Sequence, residues 1–580
     1  MTADTVQRFA VWAPEARRVE ILVAGRVVAL VRGEHGWWSI EVEDAGPGTD
    51  YLLSVDGSAG LPDPRSAWQP DGVHGPSRVV DQSGFPWTDQ GWRGIELSSS
   101  VLYELHVGTF SDAGTFDAAI EHLDHLTDVG VTAVELLPVA EFSGRRGWGY
   151  DGVDLYAPHH AYGGPDGLKR LVDACHGRGL GVLLDVVFNH LGPEGNYLER
   201  FGPYLTELQA TPWGPAVNLD DDRSAEITDF FVDNALMWLR DYHFDGLRLD
   251  AVDALVDGAA MSFLQELSRR VEDLAGEVGR SLVLVAESDR NDPRLVQPRQ
   301  AGGAGLDGWW SDDFHHALHA VLTGERNGYY ADFGSLDAVA KAIRQAYVND
   351  GTWSAYRRRV HGRPLPPGLS GHRFVAYLQS HDQVGNRPGG ERTGALMSTR
   401  RLKVGAALLL TAPFVPMLFQ GEEWAAATPF HYFTDHADPS LGRGVADGRL
   451  RDLSRLDWPV EAMPNPQDRL TFERSKLDWA ERRRPPHRHL LDWYRRLIRL
   501  RRDVRELGDG RVDRVRVTVE QEGCLVVRRG PITIACNLGE DTSVLDADGS
   551  LLLGSEEDVS LGDGRLHLPS ATVGILRAAS

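Results

Sequence analysis

Cysteine is scarce: Cys175, Cys524 and Cys536 are the only three in 580 residues. That excludes a disulfide-stapled fold and points to a reducing compartment. Cys175 shares a helical face with Leu168, Leu171 and Val172, a core pattern, while Cys524 and Cys536 fall in adjacent expected strands. Long hydrophobic runs are missing as well. The longest, "VGAALLLTAPFVPMLF" (404–419), is broken by Pro413 and Pro416 and is short for a membrane span. The opening "MTADTVQRFAVWAP" lacks a basic start, an apolar stretch and a cleavage pattern, so no signal peptide and a cytoplasmic location are expected. Positive charge is in deficit. A net charge of −24 disfavours nucleic acid and anionic membranes as partners and suits a neutral substrate. The one basic run, Arg495 to Arg502, alternates with Leu497, Ile498 and Leu500 and reads as a solvated helix face. Motifs for a serine nucleophile (G-x-S-x-G) and for a phosphate-cradling glycine loop are also missing.

What is present has three textures. Up to about residue 60, short runs such as "RFAVWAP", "RRVEILVAG", "GWWSIEVED" and "DYLLSVDG" alternate apolar and polar residues between turns, the pattern of a small β-sandwich. A Pro-, Gly-, Ser- and Asp-rich linker follows. From residue 101, apolar strand runs alternate with amphipathic helices. The runs are 101–108, 131–138, 181–190, 243–251, 281–289, 308–316, 374–382 and 413–423, the sixth being the least marked. Helices are expected over 115–129, ending at Gly130, over 225–241 and over 488–504. Eight strand–helix units predict an α/β fold, a (β/α)8 TIM barrel. Long connections at 139–164 and 191–223 are expected to shape a cleft. After about 510 the period returns to two, in a C-terminal β-domain. The expected division is 1–90 for the sandwich and linker, 91–508 for the barrel and 509–580 for the β-domain.

Polar residues at the C-terminal ends of barrel strands face the active site. The third strand ends in Asp185, Asn189 and His190; the fourth carries Arg248 and ends in Asp250; the fifth ends in Glu287; the seventh ends in His381 and Asp382. Ionised groups in buried strands are costly unless paired or used. Paired carboxyl groups across a bond are what glycoside hydrolysis requires. Arg248 lies two residues before Asp250, so both project to one side of the strand, and a nearby guanidinium favours an ionised nucleophile. Glu287 follows the apolar "LVLVA"; desolvation and neighbouring carboxylates suit it to proton donation. Asp382 would hold substrate hydroxyls and balance charge in the transition state.

"DVVFNH" (185–190), "DGLRLDA" (245–251), "VAES" (285–288) and "SHDQ" (380–383) resemble, in order, the four short conserved regions of the α-amylase superfamily. The resemblance implies a retaining glycosidase with Asp250 as nucleophile, Glu287 as acid/base and Asp382 as transition-state stabiliser. It implies that Arg248, His190 and His381 bind the sugar at the cleavage point. Tyr150 and Asp154, in "GYDGVDLY", match the family's Tyr-x-x-x-Asp, with Tyr150 stacking on that sugar. The N-terminal sandwich resembles starch-binding-like modules.

Longer strings, 102–158, 309–334 and 421–436, resemble the maltooligosyltrehalose trehalohydrolases, with branching enzymes next. That implies maltooligosyltrehalose and related α-1,4-glucans as substrates and a maltooligosyltrehalose synthase as pathway partner. It implies no cofactor and no metal. Asn189 matches a calcium ligand of some amylases, but no calcium loop is visible. A glucan branching enzyme is the alternative within the superfamily. A non-catalytic carbohydrate-binding protein is the alternative outside enzymes, disfavoured by the presence of all three carboxylates.

Several residues carry two readings. Asp185 pairs with and orients Arg248 on the simpler one. Trp148, Trp309 and Trp310 either stack on sugars or fill the core. Glu422 and Glu423 either touch substrate or structure the eighth loop. "HRH" (487–489) and the pairs His159–His160 and His315–His316 are weak metal signals.

Overall fold

The computed structural model describes residues 6–579 apart from 212–213, 457, 461–462 and 522. Apolar runs buried on both faces form parallel strands when helices cover them. Eight do so in a closed barrel. They are β1 (Leu102–Leu105), β2 (Ala133–Leu136), β3 (Gly181–Val186), β4 (Gly246–Leu249), β5 (Val283–Ala286), β6 (Gly308–Trp310), β7 (Phe374–Tyr377) and β8 (Val415–Phe419). All eight expected strands are present. The least marked of them, β6, is only three residues long.

The two-residue period of a strand determines what enters the barrel. Leu102, Ala133, Leu183, Val283, Val285, Trp310, Val375, Tyr377, Val415 and Met417 pack together as the interior. Two residues further along the same faces stand Glu104, Glu135, Asp185 and Glu287. Gly246 leads likewise to Arg248 and Asp250, and Trp310 to Asp312. The barrel is thus apolar below and polar above, and its polar layer comes from the same side-chain alternation that fills its floor. The outward faces carry residues such as Leu247, Leu249 and Leu284, which lie with helix residues Ile227, Phe231 and Leu239 in the main core.

The helix expected at 225–241 spans Ser224–Asp241, and that expected at 488–504 spans His487–Asp503. The single helix expected over 115–129 is two, Phe116–Ile120 and Leu123–Val129, with Glu121 and His122 between them; Gly130 closes the second at φ 100°. The solvated reading of the basic run fails at Arg501. Its guanidinium is buried and donates to the carbonyls of Leu410, Ala412 and Phe414, closing the end of helix Thr399–Thr411.

Before the barrel lie a three-stranded and a four-stranded antiparallel sheet built from strands between Val6 and Arg78. After it lie a five-stranded and a three-stranded sheet between Val515 and Arg577. The three cysteines are buried and free. Among the described residues, no helix is long and apolar enough to cross a membrane.

Candidate active site

Arg248 is the hub at the top of the barrel. It is fully buried, and one nitrogen, Nη1, donates to Asp185 Oδ1 and Oδ2 at 2.9 and 2.8 Å and to Asp250 Oδ1 at 2.8 Å. Nη2 stands 3.5 Å from Glu287 Oε2, and the guanidinium lies 4.4 Å from the Trp310 ring centre. Buried charges persist when paired in this way. Asp185 therefore takes the orienting place foreseen for it. Burial pushes it up to about 7 against the pull of Arg248, and the Tyr150 hydroxyl donates to its Oδ2 at 2.5 Å.

Asp250 follows β4 directly. It accepts from Arg248 and, at Oδ2, from Asn189 Nδ2 at 2.8 Å. The next residue, Ala251, adopts φ 39°, a left-handed conformation that costs a non-glycine residue about 1 kcal/mol or more. Its N–H donates to Glu287 Oε2 at 2.7 Å. Glu287 is held well above the ordinary carboxyl range. Burial is the main cause; Arg248 opposes it, and Asp250, Asp312 and Asp382 add to it. A carboxyl that keeps its proton stands beside one bound by a guanidinium and an amide, which is the division of labour that glycoside hydrolysis needs.

Just beyond β7, Ser380 caps a short helix that begins at His381, its Oγ accepting from Asp382 N at 3.2 Å. Glu104 on β1 grips His381 twice, accepting from its backbone N at 2.9 Å and from Nδ1 at 2.5 Å. Burial works against charging His381, but Glu104 and then Asp382 outweigh it and push the imidazole up to about 9. Its Nε2 lies 3.4 Å from Asp382 Oδ1. Side-chain exposure rises from 12% at Asp250 to 18% at Glu287 and 39% at Asp382, so the three carboxyls climb from floor to mouth.

Tyr150 stacks on His381 at 5.1 Å between ring centres, and His190 Nε2 donates to Tyr150 O at 2.9 Å. All seven residues singled out from the sequence thus converge. Asp154 does not join them; it is buried in the hairpin formed by Ala140–Glu141 and Asp154–Pro158. Asn189 has its amide on Asp250 and its oxygen against His190.

Trp309 and Trp310 are core residues, 1% and 2% exposed, and Trp148 is 5% exposed with its Nε1 on His431 O. Sugar stacking by Trp309 and Trp310 is thereby excluded. Glu422 and Glu423 are structural: Tyr494 donates to the first at 3.0 Å, and the second faces His125 at 2.8 Å.

Glu104, Glu135 and Asp312 are site residues that sequence reasoning missed. Glu135 is buried, and burial, then the charge of Glu104, holds it well above the ordinary range. Asp312 accepts from the Tyr377 hydroxyl and is pushed up to about 7, chiefly by burial, with Asp289 and Asp382 adding to the shift. Also missed was the hairpin Thr352–Ser354 with Arg359–His361. It projects Trp353, 65% exposed, and Arg357 ties it to Asp289 at 2.8 Å, just beyond Glu287.

The model of the "Alpha amylase, catalytic domain" family matches residues 85–211. A malto-oligosyltrehalose trehalohydrolase of Arthrobacter ramosus is 50% identical over 576 residues, covering 98% of this chain and 99% of its own. A solved structure from Salmonella typhimurium, provisionally assigned as an alpha amylase, superposes with a TM-score of 0.91 at 37% identity and covers 100% of this chain and 98% of that one. A 1,4-alpha-glucan branching enzyme of Xanthomonas oryzae pv. oryzae is more distant, at 28% identity over 77% of this chain and 64% of its own.

Proposed function

The chain belongs to the malto-oligosyltrehalose trehalohydrolases, glycoside hydrolases with an α-amylase-type catalytic barrel, and from that premise we propose how its residues divide the work. The substrate is maltooligosyltrehalose. The bond cut is the α-1,4 bond joining the malto-oligosaccharide to its trehalose end. Glu287 donates its proton to the bridging oxygen as the C1–O bond breaks, and trehalose leaves. Asp250 attacks C1 from the opposite face and forms a covalent glycosyl-enzyme. Glu287, now ionised, takes a proton from water, which attacks C1, expels Asp250 and restores the starting configuration.

The observation that carries this reading is the shared guanidinium of Arg248. It contacts both Asp250 and Glu287, fixing the nucleophile and the acid relative to each other. Asp382 and the His381 imidazolium face the same space and would hold hydroxyls of the sugar whose ring flattens in the transition state. Tyr150, already aligned with His381, would carry that sugar's apolar face. His190 would complete the pocket wall. The hairpin that Arg357 ties to Asp289 carries the exposed Trp353, which would offer an apolar surface to the leaving trehalose. The buried, free cysteines fit a reducing, cytoplasmic setting, with a maltooligosyltrehalose synthase supplying the substrate.

Product analysis tests the reading. The purified chain is given maltooligosyltrehalose, the matching malto-oligosaccharide and amylose. Rapid release of free trehalose from the first, with little change in the second, supports it. New branch points in amylose would sink it.

A further inference from the structure

The hairpin at the root of the long second loop holds a cluster that the reaction does not use. Ala140–Glu141 pairs antiparallel with Asp154–Pro158, and His159 and His160 follow at once. Side-chain exposure is 0% for Glu141 and His159 and 16% for His160. Glu141 Oε1 lies 2.7 Å from His160 Nδ1 and 3.3 Å from His159 Nδ1. Its other oxygen accepts from His160 N at 2.7 Å. One ligand atom from each of the three side chains lies within 4.8 Å of the others.

The 3.3 Å contact is the informative one. Neither ring nitrogen of His159 makes a hydrogen bond among the described residues, although the side chain is wholly buried. The ring is held flat on Phe142, 3.8 Å between centres and 15° between planes. A buried imidazole whose one polar contact is a carboxylate at 3.3 Å, and whose Nε2 has no partner among the described residues, is unusual. An N–O separation of 3.3 Å with no hydrogen bond fits two ligands on one ion: bonds of about 2.0–2.1 Å in a tetrahedron set its edges at roughly 3.3–3.4 Å. Asp154 adds a second, independent sign. It stands opposite Glu141 in the hairpin register, and its Oδ2 is buried and unpartnered. Burial, and then the charge of Glu141, holds Asp154 well above the ordinary carboxyl range.

We propose that Glu141, His159 and His160 form a three-residue divalent-metal site of the zinc class, with the buried Asp154 carboxyl near Glu141 as a charge-balancing neighbour. Two imidazoles with one carboxylate select Zn(II) or Co(II) over calcium or magnesium. Two carboxylates also neutralise a dication in a dry site. The His160–Glu141 contact opens by about 0.6 Å to reach the tetrahedral edge, and the metal takes the place of the protons on both Nδ1 atoms. The ion staples the hairpin at its root. The tip of that hairpin carries Trp148 and Tyr150, which pack on His381 at 5.4 and 5.1 Å. The site therefore stabilises a wall of the cleft and takes no part in bond cleavage.

The test uses the full chain without an affinity tag, stripped with a chelator and titrated with Co(II) and then Zn(II). One Co(II) per chain with the intense visible bands of tetrahedral coordination, displaced by Zn(II), is expected. Zn(II) should raise the unfolding temperature. Glu141→Gln should weaken Co(II) binding at least tenfold and remove the thermal shift. Should that variant fail to fold, His160→Asn, at the partly exposed ligand, carries the same comparison. Absence of saturable binding at micromolar Co(II) overturns the site. So does binding with octahedral spectra, or equal affinity in the parent and in whichever variant folds.

Discussion

Glu104 lies one strand away from the reacting carboxyls, yet its replacement should change the pH dependence of the reaction. It accepts two hydrogen bonds from His381 and is the strongest charge acting on that imidazole. His381 is pushed from 6.5 up to about 9 despite complete burial. At about 1.4 kcal/mol per pH unit, that is roughly 3 kcal/mol in favour of the imidazolium. Glu104→Gln keeps the shape and removes the charge. Burial and Arg248 then act on His381 with its strongest opposing charge removed and Asp382 the main one left, and its titration falls. The sign follows: the parent keeps the imidazolium up to about pH 9, and the variant loses it as pH rises through a lower value. A hydrogen bond to substrate that loses its charge weakens by about 1–2 kcal/mol. That is roughly a 5- to 30-fold loss in kcat/KM, seen at neutral and alkaline pH and recovered on acidification. Glu287, whose ionisation is displaced upwards by burial, also shapes both profiles, so the diagnostic is the difference between them. The assay is trehalose release from maltooligosyltrehalose across pH. A variant profile that is merely a scaled copy of the parent's would refute the assignment of Glu104 as the residue that sets the charge of His381.

Two further perturbations test the scaffold. Glu325 receives both outer nitrogens of Arg387, at 2.8 and 2.9 Å, and faces His319 at 2.7 Å; against its burial, these partners pull it from 4.5 down to about 2. Its stabilisation is complete above its ordinary value and is lost as pH falls through about 2. Glu325→Gln should therefore cost up to about 3 kcal/mol at neutral pH, and the gap to the parent should close on acidification, read from denaturant midpoints at several pH values. Arg501→Met leaves the carbonyls of Leu410, Ala412 and Phe414 without their donor. A loss of about 2–4 kcal/mol is expected; an unchanged midpoint would show that water replaces the guanidinium at no cost.

The barrel was legible because its signal is local. Each strand run is apolar and short, and the charged residues at its end break the pattern on one face only. Arg248, Asp250 and Glu287 stood out for that reason, and the structure brings them together. The same signal was present at Glu104 in "LYELH" and at Glu135 in "VELL", single carboxyls in buried strands. They were passed over because no motif drew attention to them, and their role depends on neighbours far away in sequence. Arg501 was misread for a related reason. Helical spacing places it among exposed arginines, and only the packing of helix Thr399–Thr411 shows that its head meets carbonyls. Aromatic residues were the least legible. Trp309 and Trp310 carried two readings in sequence, sugar platform or core, and both are core, Trp310 inside the barrel and Trp309 on its outer face, whereas among the described tryptophans Trp353 is the exposed one. Exposure of an aromatic is set by tertiary packing, which no local pattern encodes.

The central claim is that Asp250 forms the bond to the sugar and Glu287 moves the proton. Glu287→Gln given an α-maltosyl fluoride, whose leaving group needs no acid, tests it directly. The fluoride loads the enzyme, and the missing base leaves the glycosyl-enzyme to accumulate. Mass spectrometry of the digested protein should find the glycosyl unit on the peptide containing Asp250 and on no other. A label on Asp382 or on any other carboxylate would contradict the account, as would rapid turnover of the fluoride with inverted configuration at C1.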